Sequence, residues 1–154
     1  MHAKAWAWLG RMLYWVGGLF VFPFALNKTE RVRVAMVDPT KENIVLAQSW
    51  IGQQKWGLPG GGIHTSEDAE QAAVRKVGEE TGVSLSIADL QFVATQEVSE
   101  HCARYIEHIF IATVPMQGLE KQPIELLGLD WFSFDNLPKK QHSKTINLIK
   151  SQLK

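Results

Sequence analysis

At 154 residues, 45% hydrophobic and 21% charged, the chain has the size and composition of one compact domain, which excludes a disordered, collagen-like or coiled-coil protein. Sixteen lysines and arginines balance sixteen aspartates and glutamates, so no global charge recruits nucleic acid and none is expected as a partner. The single cysteine, Cys102, excludes an internal disulfide, and no cysteine–histidine cluster has zinc spacing, so a reducing, cytoplasmic setting is the expectation.

The neutral total hides a segregation. Residues 1–66 carry seven basic and three acidic side chains, residues 67–135 four basic and thirteen acidic, and residues 136–154 five lysines and no acid. An acidic middle of net −9 fits either solvated helix faces or a divalent-cation site.

In chain order, residues 1–28 form a hydrophobic segment of their own. The uncharged run at 12–26 has fifteen residues, short of the roughly 20 that a membrane-spanning helix needs. Gly17, Gly18 and Pro23 weaken it further as a straight helix. Trp8, Met12, Trp15 and Leu19 recur at helical spacing, which suits a helix packed on its own domain or on a second copy in a homodimer. Three Trp, one Tyr and three Phe within residues 6–24, flanked by Lys4, Arg11, Lys28, Arg31 and Arg33, suit peripheral contact with a membrane surface. Both readings of residues 1–26 stay open.

From residue 29 to 154 the pattern alternates strands and helices. Val32, Val34 and Met36 alternate with Arg31, Arg33 and Ala35 until the Asp38-Pro39 turn, and Asn43–Gln48 follows as the second arm of a hairpin. Trp56–Gly62 reads as a glycine-rich loop, with Pro59 just before three glycines. Thr65 or Ser66 is expected to cap a helix over 66–81, with acids in its first turn and Gly82 as its stop. Leu90–Val98 and Tyr105–Val114 read as paired strands, Asp130–Phe134 as a short closing strand, and 140–153 as a helix with Ile146, Ile149 and Leu153 on one face.

The chemistry concentrates in residues 56–83. Helical geometry puts positions 76, 79 and 80 on one face, so Glu79 and Glu80 are both near it, and the glycine loop before the helix has a backbone that a ligand can approach. Carboxylate oxygens suit hard cations such as Mg²⁺ or Mn²⁺, which keep sites for substrate phosphates. Arg75 stands four residues before Glu79, where it can pair with that carboxylate. By residue type alone, a solvated amphipathic helix with Ala69, Ala72, Ala73 and Val77 facing the sheet is the better account, because charged helix faces are common.

The register decides between them. Gly61, Glu67, Arg75, Val77, Glu79, Glu80, Gly82 and Val83 match eight of the nine specified positions of the box at 61–83 that marks Nudix hydrolases, and the domain from Val32 to Pro138 resembles that family. The resemblance implies an α/β/α sandwich around a central mixed β-sheet. It further implies hydrolysis of a diphosphate linkage in a small-molecule substrate, with Mg²⁺ or Mn²⁺. Carried over residue by residue, Glu79, Glu80 and the Gly60 carbonyl would hold the metal, Arg75 would orient Glu79, and Glu67 would brace the loop. Gly61, Gly62 and Trp131 would meet the substrate. Glu125 is the first candidate for a general base, with Glu97, Glu100 and Glu107 after it.

One specified position breaks the pattern, and two others depart from what members commonly have. Lys76 stands where the family has a glutamate, His64 where many members have another, and Ser66 where glycine is common. An ammonium cannot ligate a metal and repels a nearby cation. Lys76 is therefore expected either to have weakened the site or to contact a substrate phosphate itself. The alternative function is a binding or regulatory module with weak or no hydrolysis.

Overall fold

The computed structural model describes residues 29–49, 54–100, 103–120 and 126–153. Residues 1–28, on which the packing and membrane readings fall, lie outside the described residues, as do Glu125 and His101. No helix among the described residues is long and apolar enough to cross a membrane.

The elements run β1 (Thr29–Val37), β2 (Asn43–Ser49), β3 (Trp56–Gly57), β4 (Gly60–Gly62), α1 (Ala69–Thr81), β5 (Leu90–Glu100), β6 (Ala103–Thr113), β7 (Leu126–Ser133) and α2 (Ser143–Gln152). The strands form one sheet in the order β3-β2-β1-β6-β5, with β4 also paired to β1 and β7 to β2. β1 and β6 are parallel from Thr29↔Tyr105 to Val37↔Thr113, and the other pairings are antiparallel, so the sheet is mixed.

Alternation along the central strands sorts the side chains into two cores. Val32, Val34, Met36, Phe110 and Ala112 pack with Ala72, Ala73 and Val77 of α1. Ala35, Val37, Ile109 and Ile111 point the other way, onto Ile146 and Ile149 of α2. One helix on each face of a mixed sheet gives the expected sandwich.

Strand and helix ends shift by a few residues throughout, and three of the differences from the sequence expectation change the reading. First, the box helix starts at Ala69, not at 66, because Asp68 is its cap. The Asp68 carboxylate accepts from Gln71 N at 2.8 Å, and the Gln71 side chain accepts from Asp68 N at 3.1 Å. Ser66 has no polar side chain three residues on, and the Asp68 that stands at that spacing from Thr65 is itself the cap, paired with Gln71. Asp68→Ala should cost about 1 kcal/mol of stability by urea unfolding; an unchanged midpoint would contradict this capping role.

Second, the glycine run is not all loop. Gly60, Gly61 and Gly62 pair with Arg33, Val32 and Arg31 as β4, and Val34 N donates to Pro59 O at 2.9 Å. Third, the closing strand begins four residues earlier and ends before Phe134. Its pairing with β2 runs from Ser49↔Leu126 to Asn43↔Ser133, while Phe134 leaves the ladder to cover the α2 core.

Candidate active site

The site lies where β4 runs beneath α1. Gly60 adopts φ +148°, and a Cβ there would sit 2.1 Å from the Val32 carbonyl oxygen, so only glycine allows this approach to β1. The same glycine donates its N–H to Glu80 Oε2 at 3.0 Å. Glu80 is buried for the same reason: it reaches inward from α1 to tie the glycine turn to the helix.

Arg75 joins the other parts. Its Nε donates to Glu67 Oε2 at 2.9 Å, and its Nη2 donates to Glu67 Oε1 and, at 3.2 Å, to the Gly62 carbonyl. Its Nη1 donates to both oxygens of Glu79 at 3.2 Å. Glu67 Oε1 also accepts from His64 N at 2.8 Å. One guanidinium thus fixes the loop before the helix, the end of β4 and the more exposed of the two helix carboxylates.

These contacts set the ionisation of the group. Hydrogen bonds from Arg75, opposed by burial and aided by the His64 amide, hold the Glu67 carboxyl down at about 2. For Glu79, partial burial opposes ionisation, but hydrogen bonds from Lys76 and Arg75 outweigh it and keep the carboxyl below its ordinary value. The sign for Glu67 follows from its lowered value. Its contribution to stability is complete above the ordinary 4.5 and is lost as the pH falls toward about 2. The stability gap between wild type and Glu67→Gln, from urea unfolding, should therefore be widest near neutral pH and shrink across that window. A gap that stays constant on acidification would contradict the ion pair.

Lys76 lies inside this cluster. Its Nζ stands 2.9 Å from Glu79 Oε2, and its side chain is only 15% exposed. The stem runs over Gly61, where a Cβ would lie 2.8 Å from Lys76 Cε and 3.5 Å from Nζ. Lys76 and Glu80 therefore both face β4, and the Lys76 ammonium stands beside the Glu79 carboxylate.

The remaining candidates are scattered. Trp131 is held on the α1 side of the sheet, its indole N–H donating to Gln117 O at 3.2 Å. Glu107 is buried on the other side, accepting from Arg33 Nε at 3.1 Å and Gln96 Nε2 at 2.8 Å, so its carboxylate serves an internal ion pair. Glu97 is an exposed strand residue. Glu120 was not among the expected acids. Its N–H donates to Thr81 O at 2.8 Å, and its side chain packs beside Gly82, at the C-terminal end of α1. Only the loop fold brings it there, and nothing in its local sequence signals it.

The donor set fits a hard divalent ion of modest coordination demand. Glu79 offers a carboxylate 46% open to solvent, Glu80 a second one on the same helix turn, and the glycine strand a nearby backbone. Mg²⁺ is commonly held by one or two carboxylates with waters and substrate phosphates completing the shell. No group of three or more His, Cys, Asp or Glu side chains that could hold a metal occurs among the described residues, so a two-carboxylate arrangement is the one available.

A family model described as NUDIX domain matches residues 28–152. Among curated proteins, the m7GpppN-mRNA hydrolase dcap-2 of Caenorhabditis elegans is 31% identical over 111 residues, covering 67% of this chain but 13% of that protein. The RNA pyrophosphohydrolase of Sphingopyxis alaskensis is 49% identical over 37 residues, 24% of this chain and 23% of that protein. The chain thus spans under a quarter of the length of either relative. The solved MutT NUDIX hydrolase from Burkholderia pseudomallei shares the fold, with a TM-score of 0.69 and 22% identity over 80% of this chain and 97% of that one. With the box in register, the sandwich around it and a family match over most of its length, the chain belongs to the NUDIX family.

Proposed function

We propose that this protein hydrolyses a diphosphate linkage in a nucleoside diphosphate derivative or a similar compound, with Mg²⁺ or Mn²⁺ held by Glu79, Glu80 and the Gly60 carbonyl. The observation that carries this reading is the 3.0 Å hydrogen bond from Gly60 N to Glu80 Oε2, which locks the glycine strand against the helix bearing both acids. A divalent ion bound there neutralises charge on the diphosphate and lowers the pKa of a bound water. Arg75 keeps the Glu79 carboxylate aimed and ionised. Gly62, where nothing lies within 4 Å of an added Cβ, leaves room for phosphate oxygens beside the backbone, while the space at Gly61 is taken by the Lys76 stem. The Lys76 ammonium supplies a further positive charge for a phosphate oxygen, Trp131 offers a face to the leaving portion, and Glu125 takes the proton from the attacking water.

The names of the relatives, an m7GpppN-mRNA hydrolase and an RNA pyrophosphohydrolase, add RNA to the compounds worth testing. A second reading, binding without hydrolysis, is favoured by one observation: the Lys76–Glu79 ion pair consumes part of the charge a metal needs. The test is a product screen with nucleoside diphosphate sugars, dinucleoside polyphosphates, nucleoside triphosphates and a 5′-triphosphorylated oligoribonucleotide, in Mg²⁺, in Mn²⁺ and in EDTA. Metal-dependent cleavage of one class is expected. Retention of a nucleotide with no product in any metal would replace the hydrolase reading with the binding one.

A further inference from the structure

We propose that Lys76 is a resident cation of the acidic site, one that a divalent ion must displace from Glu79 before it can bind. The inference rests on the reading of Glu79 and Glu80 as metal ligands and goes beyond it. Three observations carry it. The ammonium is already in place, 2.9 Å from Glu79 Oε2, and its side chain is mostly shielded from water. Its approach is built in, since the missing side chain of Gly61 is what admits the lysine stem: a Cβ there would crowd Cε at 2.8 Å. Glu80 is buried with one oxygen committed to Gly60 N, whereas Glu79 is 46% exposed, so an incoming ion meets Glu79 first, and with it the Lys76 ion pair.

Electrostatics gives the direction. Glu67, Glu79 and Glu80 supply three negative charges, while Arg75 and Lys76 supply two positive ones. A glutamate at position 76 would leave one positive charge against four negative. The lysine therefore holds the site near neutrality without metal, and binding of a dication must break its ion pair and overcome its repulsion. Once dislodged, the ammonium is available to a phosphate oxygen, so metal and substrate together favour the loaded arrangement where metal alone does not.

The test is Mn²⁺ affinity of the 154-residue chain, followed by the electron paramagnetic resonance signal of unbound Mn²⁺ with no substrate present. Lys76→Met should tighten Mn²⁺ binding by about tenfold or more, the scale seen when groups that set a metal ligand's environment are altered. Lys76→Arg, which keeps the charge, should bind as weakly as wild type. If Lys76→Met proves poorly folded by thermal melting, Lys76→Gln serves with the same expectation. Equal, measurable affinity in wild type and the neutral variants would overturn the competition while leaving the metal ligands in place. Absence of binding in every variant would overturn both the competition and the assignment of Glu79 and Glu80.

Discussion

Gly60→Ala should destabilise the fold by about 3 kcal/mol or more and abolish whatever the site does. A methyl group at this position would meet the Val32 carbonyl oxygen at 2.1 Å, its carbon at 2.9 Å and Arg33 Cα at 3.0 Å. All three are backbone atoms of the central strand, so none can swing aside as a side chain would. The φ of +148° adds a conformational penalty for any residue with a Cβ, of roughly 1–3 kcal/mol. Gly62→Ala is the control. No heavy atom lies within 4 Å of the added methyl, so its stability should stay within about 0.5 kcal/mol of wild type. Urea unfolding of the two variants measures the contrast, and equal costs would show that the tight approach of β4 to β1 is not what holds the glycine turn.

Glu80→Gln should lower metal-supported turnover by about 10- to 100-fold and weaken Mn²⁺ binding in parallel. The substitution preserves volume, and the glutamine Oε1 can still accept the Gly60 N–H, so the tie between strand and helix survives. What is lost is the negative charge and one acceptor oxygen, which becomes an NH2 donor. Folding measured by urea should therefore change far less than activity. Unchanged turnover together with unchanged Mn²⁺ affinity would move the metal site away from α1.

Much of the site was legible in the sequence because its parts are local. Arg75 reaches Glu79 and Lys76 reaches Glu79 through helical spacings of four and three, which any chain in a helix must bring together. The two cores were legible for the same reason, since Val32, Val34 and Met36 repeat with the period of a strand and Ile146 and Ile149 with that of a helix.

What was not legible depends on contacts across the fold. The burial of Glu80 follows from Gly60, twenty residues earlier in the chain. The ion pair that holds the buried Glu107 is with Arg33, 74 residues away, and no local pattern shows it. β4 was read as loop because three glycines carry no strand propensity; its pairing is imposed by β1. The helix start was misplaced because Thr65 and Ser66 are good capping types, and only the Gln71 partner singles out Asp68.

The most direct measurement is product release by the metal-stripped wild-type protein as Mg²⁺ or Mn²⁺ is titrated back, with a Glu79→Gln/Glu80→Gln double variant alongside. If Glu79 and Glu80 hold the ion for diphosphate hydrolysis, product should appear only with metal and be lost in the double variant. Product formed in EDTA, or equal metal-dependent turnover in the double variant, would contradict it.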